Sequence, residues 1–169
     1  VERKFVAPGG ILETHSEVSY RSDANEFGNS RTFAGLTQEG RVLVFTPGSD
    51  TSRGGDISAV KDYLSSDVVQ IFSNSRGFAA QKSDNTIVYW GGYGNGVRSY
   101  DKDRTVEKII SSGSAFLALL DDGSIDVWGN GAAGGRLPDE LVGVKGIQKV
   151  VSIGWGFAAL LADGEVVSW

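Results

Sequence analysis

Several stretches of this 169-residue sequence have the residue types and spacing of reactive or ligand-binding sites. Gly129, Gly131 and Gly134 spell Gly-x-Gly-x-x-Gly directly after a strand-like run, a pattern that lets backbone cradle a pyrophosphate. That chemistry needs a helix opening at the last glycine and an acid about 20 residues on. Here Pro138 follows closely and Lys149 stands near the acidic position. Asp121 and Asp122 have the make-up of a carboxylate pair for hydrolysis. Asp101 and Asp103 suggest a calcium loop, but the further ligands are missing. His15, the only histidine, has no visible partner for a triad or a multi-histidine metal site. With no cysteine, thiol catalysis, disulfide scaffolds and thiolate zinc sites are excluded. No cofactor, metal or catalytic residue is expected.

The elements that would position these residues come from an internal repeat. FAGLTQEGRVLVF (33–45), FAAQKSDNTIVYW (78–90), FLALLDDGSIDVW (116–128) and FAALLADGEVVSW (157–169) align without gaps. Each runs twelve residues from a phenylalanine to an aromatic, with Gly40, Asn85, Gly123 or Gly164 at the seventh step. An acid always precedes that residue: Glu39, Asp84, Asp122, Asp163. β-Branched and aromatic flanks around such a pair predict a β-hairpin closed by a two-residue type I′ turn. Asp121-Asp122 is therefore one copy of a turn whose other copies read Gln38-Glu39, Ser83-Asp84 and Ala162-Asp163.

A third strand is predicted ahead of each hairpin, at 68–74, 106–112 and 147–153, with an irregular counterpart at 24–30 broken by Glu26. Glycine-rich loops follow at 47–55, 91–96 and 129–135. Connections then vary. Residues 56–64 place Ile57, Val60 and Leu64 on one helical face behind an Asp56 cap. Residues 136–141 allow one helical turn with Pro138 near its start, and 97–105 carry no helical period. The expected class is all-β with short helical connections: a four-repeat β-propeller-like ring with one three-stranded antiparallel unit per repeat. Phe33, Phe78, Phe116 and Phe157 are its expected core.

Spacing argues that the ring closes. The phenylalanines stand 45, 38 and 41 residues apart, and Gly9 precedes Phe33 by the same 24 residues as Gly54 precedes Phe78. Residues 1–32 are thus expected to complete the last blade of a single 1–169 repeat domain, within the usual blade length. A slice of a longer array is the alternative. The chain opens at Val1 and contains no methionine, so a processed or excised chain is expected, which favours an organelle lumen or extracellular site.

These repeats resemble the regulator-of-chromosome-condensation repeat superfamily, with its strand, Asp-Gly turn and strand ending Trp-Gly. FLALLDDGSIDVWGNGAAGG and FAALLADGEVVSW are closer still to a divergent branch of short Phe-Ala-Ala-Leu/Asp-Gly/Trp-Gly repeats. The likeness covers the chain from about residue 24. It implies a propeller fold and protein-binding surfaces, used by members for nucleotide exchange on a small GTPase, β-lactamase inhibition or scaffolding. This chain departs in repeat number and lacks the Gly-Gln-Leu-Gly loop and the strand histidine. Exchange activity and chromatin binding are therefore not carried over.

What remains is surface. Up-and-down strands put the strand-one-to-two corners and the glycine loops at one end and the Asp-Gly turns at the other. The first end collects Arg31 and Arg76 at equivalent positions, Trp155 at another copy, and Arg53, Tyr93, Arg98 and Arg136 from the glycine loops. Arginine and aromatics are the types enriched at binding hot spots. A net charge of −5 is the wrong balance for nucleic acid, and no apolar run approaches the roughly 20 residues of a membrane span. The expected function is a non-enzymatic protein-interaction module or an accessory subunit of a larger complex. A carbohydrate-binding propeller, with Trp155 and Tyr93 stacking on sugar, is the alternative, and a hydrolase on the acidic end a third.

Overall fold

The computed structural model describes residues 6–7, 10–11, 29, 31–47, 51–101 and 103–169. The chain divides into two compact units, Val1–Arg98 and Ser99–Trp169. In the first, β1 (Val6–Ala7) pairs with β2 (Gly10–Ile11), and β3 (Phe33–Leu36) with β4 (Val42–Phe45). Then β5 (Val68–Ser73), β6 (Gly77–Lys82), β7 (Ile87–Gly91) and β8 (Gly96–Arg98) form a four-stranded antiparallel sheet in that order. The second unit holds two three-stranded sheets. One comprises β9 (Val106–Ser111), β10 (Ala115–Leu120) and β11 (Ile125–Gly129). The other comprises β12 (Lys149–Ser152), β13 (Phe157–Leu160) and β14 (Val166–Ser168). The strand expected over 24–30 and the completion of the last blade by 1–32 fall almost wholly outside the described residues, as does His15.

The twelve-residue spacing is a cross-strand register. Phe33 stands opposite Phe45, Phe78 opposite Trp90 and Phe116 opposite Trp128, while Phe157 and Trp169 exchange backbone bonds of 2.9 and 3.0 Å. The aromatic partners pack at 6.3, 5.3, 5.7 and 5.7 Å between ring centroids. Three of the four phenylalanines are buried as expected. Phe33 is not: it is 36% exposed and its partner Phe45 45%. In each unit the aromatic face of the second repeat of the pair packs on the repeat before it; among the described residues nothing covers Phe33 and Phe45 in this way.

The turns differ from the expected two-residue type. The acids do not adopt positive φ; only Gly40, Asn85, Gly123 and Gly164 do, at 73°, 71°, 72° and 92°. Leu120 N–H donates to Ser124 O while Gly123 N–H donates to Leu120 O, both at 2.9 Å, and the other three hairpins repeat the pattern. This is a three-residue loop, a type I turn whose last residue forms a left-handed bulge. The recurrent acid has another task. Asp84, Asp122 and Asp163 each accept the N–H two residues on, from Thr86, Ser124 and Glu165 at 2.9, 3.0 and 3.0 Å. That N–H holds the Asp84 carboxyl below its ordinary 3.8. Asp122, whose Oδ2 lies 2.9 Å from Lys145 Nζ, is pushed well below the usual carboxylate range by that ammonium and by Ser124. The Thr105 hydroxyl lowers Asp121.

Connections also depart from expectation. Residues 56–64 are successive turns rather than a helix, closed by bonds such as Val60 N–H to Ile57 O (2.9 Å) and Tyr63 N–H to Val60 O (3.1 Å). Their apolar stripe survives: Val60 and Leu64 are buried, and Asp56 caps Ser58 N–H. The turn predicted over 136–141 is a 3-10 helix, Asp139–Leu141, behind Pro138. The end of the 91–96 glycine loop and the start of the 97–105 connection form β8 (Gly96–Arg98), a fourth strand in the second repeat.

Within each unit the two repeats are joined by the same contact. Trp90 Nε1–H donates to Gly54 O at 3.0 Å, 36 residues back in the preceding glycine loop. Trp169 Nε1–H donates likewise to Gly134 O at 3.1 Å. Gly54 and Gly134 have φ of +93° and +88°, and a Cβ on either would stand 2.7 or 2.5 Å from the ring of Phe78 or Phe157. Only glycine allows that approach.

Two outcomes follow from this packing. Phe116→Ala should cost about 3–5 kcal/mol through lost burial and a residual cavity, and Phe33→Ala less than about 2 kcal/mol. Equal costs in urea denaturation would contradict the assigned burial. The turn carboxylates have folded values below their unfolded ones, so their stabilisation is present above 3.8 and lost as pH falls through the lowered folded values. Denaturation midpoints should fall on acidification from about pH 5 to about 2. An Asp84→Asn/Asp122→Asn chain, which keeps the acceptors but cannot titrate, should show a shallower decline.

Candidate functional site

In the first unit the corner and glycine-loop residues meet at one end of the sheets. Each corner is built on an asparagine. Asn29 Oδ1 accepts from Arg31 N–H and Thr32 N–H, both at 3.0 Å. Asn74 Oδ1 accepts from Arg76 N–H at 2.9 Å and Gly77 N–H at 3.0 Å. A carboxamide oxygen that takes two successive N–H groups fixes a tight corner and aims the arginine outward. Arg31 and Arg76 are both exposed.

The glycine loops are stitched to these corners. Asn29 Nδ2 donates to Arg53 O at 2.7 Å, and Arg53 Nη1 donates to Ser75 O at 3.1 Å. Gly92 N–H donates to Arg76 O at 2.8 Å, which sets the exposed Tyr93 ring on the neighbouring loop. Residues 29 and 31, 51–55, 74–76 and 91–93 are thus linked into one hydrogen-bonded rim. It carries four of the sequence-predicted residues: Arg31, Arg53, Arg76 and Tyr93.

Arg98 does not join them. Asn95 Oδ1 accepts from Gly91 N–H at 3.1 Å and Gly94 N–H returns to Gly91 O, so the loop reverses into β8. That strand carries Arg98 down to Ile87, beside the acidic turn at 83–85. There the half-buried guanidinium lies 5.7 Å over the Tyr89 ring, a packing role. The placement of Arg98 on the corner end is thereby corrected.

The second unit has its own version of the rim. Gly113 N–H donates to Gly154 O at 2.6 Å and Asn130 N–H to Ser114 O at 3.0 Å, so both corners and the glycine loop lie together. Trp155 projects from the 153–156 corner at 69% exposure, its ring resting against Gly113. Arg136 is exposed just beyond the same loop. Within that loop Gly131–Ala133 is a single 3-10 turn capped by Asn130, and the carbonyl of Gly134 receives the Trp169 indole. The Gly-x-Gly-x-x-Gly spacing serves that packing. At the opposite end Asp121 is engaged by Thr105, and Asp122 by Ser124 and Lys145. Asp101 pairs with Arg104 at 3.0 Å. Among the described residues no cluster of three metal-ligating side chains occurs.

Asn29 and Asn74 are the positioning residues that residue-type reasoning passed over. Their signal was present: Asn29-Ser30-Arg31 and Asn74-Ser75-Arg76 are the same triplet ahead of the repeat phenylalanine.

No protein-family model and no curated protein matches the sequence. Solved structures do. Prp20p from Saccharomyces cerevisiae superposes with TM-score 0.57 at 16% identity, over 86% of this chain and 43% of its own. The ectodomain of receptor kinase CR4 from Physcomitrella patens gives 0.55 at 14% identity, over 84% and 39%. The CRINKLY WD40 ectodomain of Arabidopsis thaliana ACR4 gives 0.54 at 13%, over 84% and 50%. The chain therefore spans half or less of these solved chains. What they share with it is the fold, a β-propeller-like stack of antiparallel repeats.

Proposed function

We propose that the chain is a non-enzymatic protein-interaction module, an accessory or structural part of a larger assembly, which engages a protein partner through the corner and glycine-loop end of its repeats. One observation carries this reading. Exposed Arg76 and Tyr93 stand on backbone that is hydrogen-bonded to itself from loop to loop, so the contact groups are preorganised and little ordering cost remains on binding. Arginine presents fixed donors suited to carboxylates, and tyrosine a large amphipathic plane. An acidic protein surface with apolar clefts complements them. Trp155 on the second unit supplies an apolar plane of the same kind. Prp20p, of the same fold, has binding properties to Gsp1p and histones, which supports protein as the ligand class.

The test compares partner recovery by wild-type chain and by Arg76→Ala/Tyr93→Ala, using quantitative mass spectrometry and then titration of the recovered protein. The double substitution should weaken binding by about 2–4 kcal/mol and leave the denaturation midpoint unchanged. Trp155→Ala, scored separately, should weaken the same complex. Undiminished binding by both variants, or loss only on substitution of Asp84 and Asp163, would overturn the assignment, and retention on immobilised glycan alone would favour the carbohydrate-binding alternative.

A further inference from the structure

Two asparagines in the sequence precede a glycine, in Asn95-Gly96 and Asn130-Gly131. Glycine has no Cβ to shield its nitrogen and leaves the backbone free to turn. Each pair therefore brings a side-chain carboxamide within reach of the next main-chain nitrogen. Both lie in glycine loops, one after β7 and one after β11, and the structure holds them differently.

Asn130 is half-buried and pinned at its amide, carbonyl and side chain. Its N–H donates to Ser114 O at 3.0 Å, and its carbonyl accepts from Ala133 N–H at 2.9 Å and Gly135 N–H at 2.8 Å. Its Oδ1 accepts from Ala132 N–H at 3.0 Å. The backbone stands at φ −70° and ψ 118°, which turns the Gly131 nitrogen away from the Cβ side of Asn130. Attack on Cγ needs that nitrogen on the Cβ side, and bringing it round undoes the cap and the 3-10 turn together.

Asn95 is exposed. Its carboxamide oxygen accepts from Gly91 N–H at 3.1 Å. Gly94 before it has φ +107°, and a Cβ there would meet nothing within 4 Å. Gly96 after it forms the first rung of β8, opposite Tyr89, and the ladder ends two residues on at Arg98. A glycine on each side and an edge strand of three residues leave this segment lightly anchored, and such ends open at little free-energy cost. Once the first rung opens, the Gly96 nitrogen turns toward Cγ. The Gly91 N–H stays on the oxygen that takes up negative charge as the new bond forms.

We propose that Asn95 is a site of spontaneous covalent modification in the folded chain, and that Asn130 is protected from the same reaction. The Gly96 nitrogen attacks Asn95 Cγ and forms a C–N bond; its proton goes to the amide nitrogen, which leaves as ammonia. Water then opens the cyclic imide at either carbonyl. Opening at the side-chain carbonyl gives aspartate. Opening at the main-chain carbonyl gives isoaspartate, which lengthens the main chain by one methylene directly ahead of β8. That insertion breaks the register that seats Arg98 over the Tyr89 ring. The proposal is independent of partner binding by the rim.

The test incubates the full chain in mildly alkaline buffer, with and without enough urea to unfold it, and follows both sites by peptide mapping with mass spectrometry. In the folded chain Asn95 should convert about tenfold or more faster than Asn130, and in urea the two rates should converge. Equal rates in the folded chain would overturn the proposal, as would an Asn95 that converts only in urea. Asn95→Gln keeps the carboxamide but needs a larger ring, so its loop should stay unmodified over the same period. Conversion there at the wild-type rate would overturn the ring closure. Hydrogen exchange on the converted chain should show protection lost across β8 and kept in β5 and β6. Isoaspartate at position 95 with β8 still protected would overturn the change of register.

Discussion

The indole N–H of Trp90 or Trp169 on the glycine carbonyl of the repeat before it, once in each unit, is the contact on which the stacking of each pair of repeats depends. A buried hydrogen bond of this sort is worth about 1 kcal/mol net, and an orphaned indole would cost more. Its larger effect is geometric. The donor fixes where the preceding glycine loop must lie, and the positive φ of Gly54 and Gly134 turns that loop onto the phenylalanine ring. Phenylalanine, indole and glycine then form one layered contact between repeats. The connections between these fixed points can differ, a run of turns over 56–64 in one case and a 3-10 helix at Asp139–Leu141 in another. Glycine to phenylalanine nevertheless remains 24 residues in the first and 23 in the second.

Much of this was readable because its causes are local. The hairpins obey a two-residue period and a turn signal, so their existence and bounds follow from the sequence. Their register does not: a two-residue turn would set Phe33 opposite Thr46 where the ladder sets it opposite Phe45. What eluded that reading depends on neighbours. The turn type hinges on one residue of ladder register, since Gly123 alone takes positive φ while Asp122 serves as an acceptor. Arg98 was misplaced because Gly94 and Asn95 reverse the chain into an added edge strand, and nothing in its composition announces that β7 has an edge to offer. Phe33 is exposed although its residue pattern matches that of the buried Phe78, Phe116 and Phe157. For the candidate site the arginines were legible by position, and their supporting asparagines by the repeated Asn-Ser-Arg triplet that types alone do not flag.

The two ends of the repeats differ in how their polar groups are spent. At the turn end the carboxylates accept N–H groups of their own hairpins, and Asp122 adds Lys145. Those acids are structural, and an acid held well below its ordinary value makes a poor general acid. At the corner end the labour is inverted. Uncharged Asn29, Asn74 and Ser112 satisfy the backbone, so the charged residue at the corner has no turn to hold. Equivalent corner positions hold Arg31, Arg76, Ser114 and Trp155, a range that a residue needed for the corner's own geometry would not tolerate.

That freedom to vary is what separates the faces of a repeat from its ends. A face residue such as Ile125 is constrained by the aromatic layer of the next repeat, and any change there is felt as a cavity or a clash. A corner residue of the first three repeats stands over an asparagine or serine that holds the turn in its place. Recognition can therefore be written into the corners and glycine loops without disturbing the stacking, and altered one repeat at a time. The same division separates the two kinds of polar position within each unit. Asp84, Asp122 and Asp163 are taken up by their own turns, and the positions released from structural duty are those that carry Arg76, Tyr93 and Trp155.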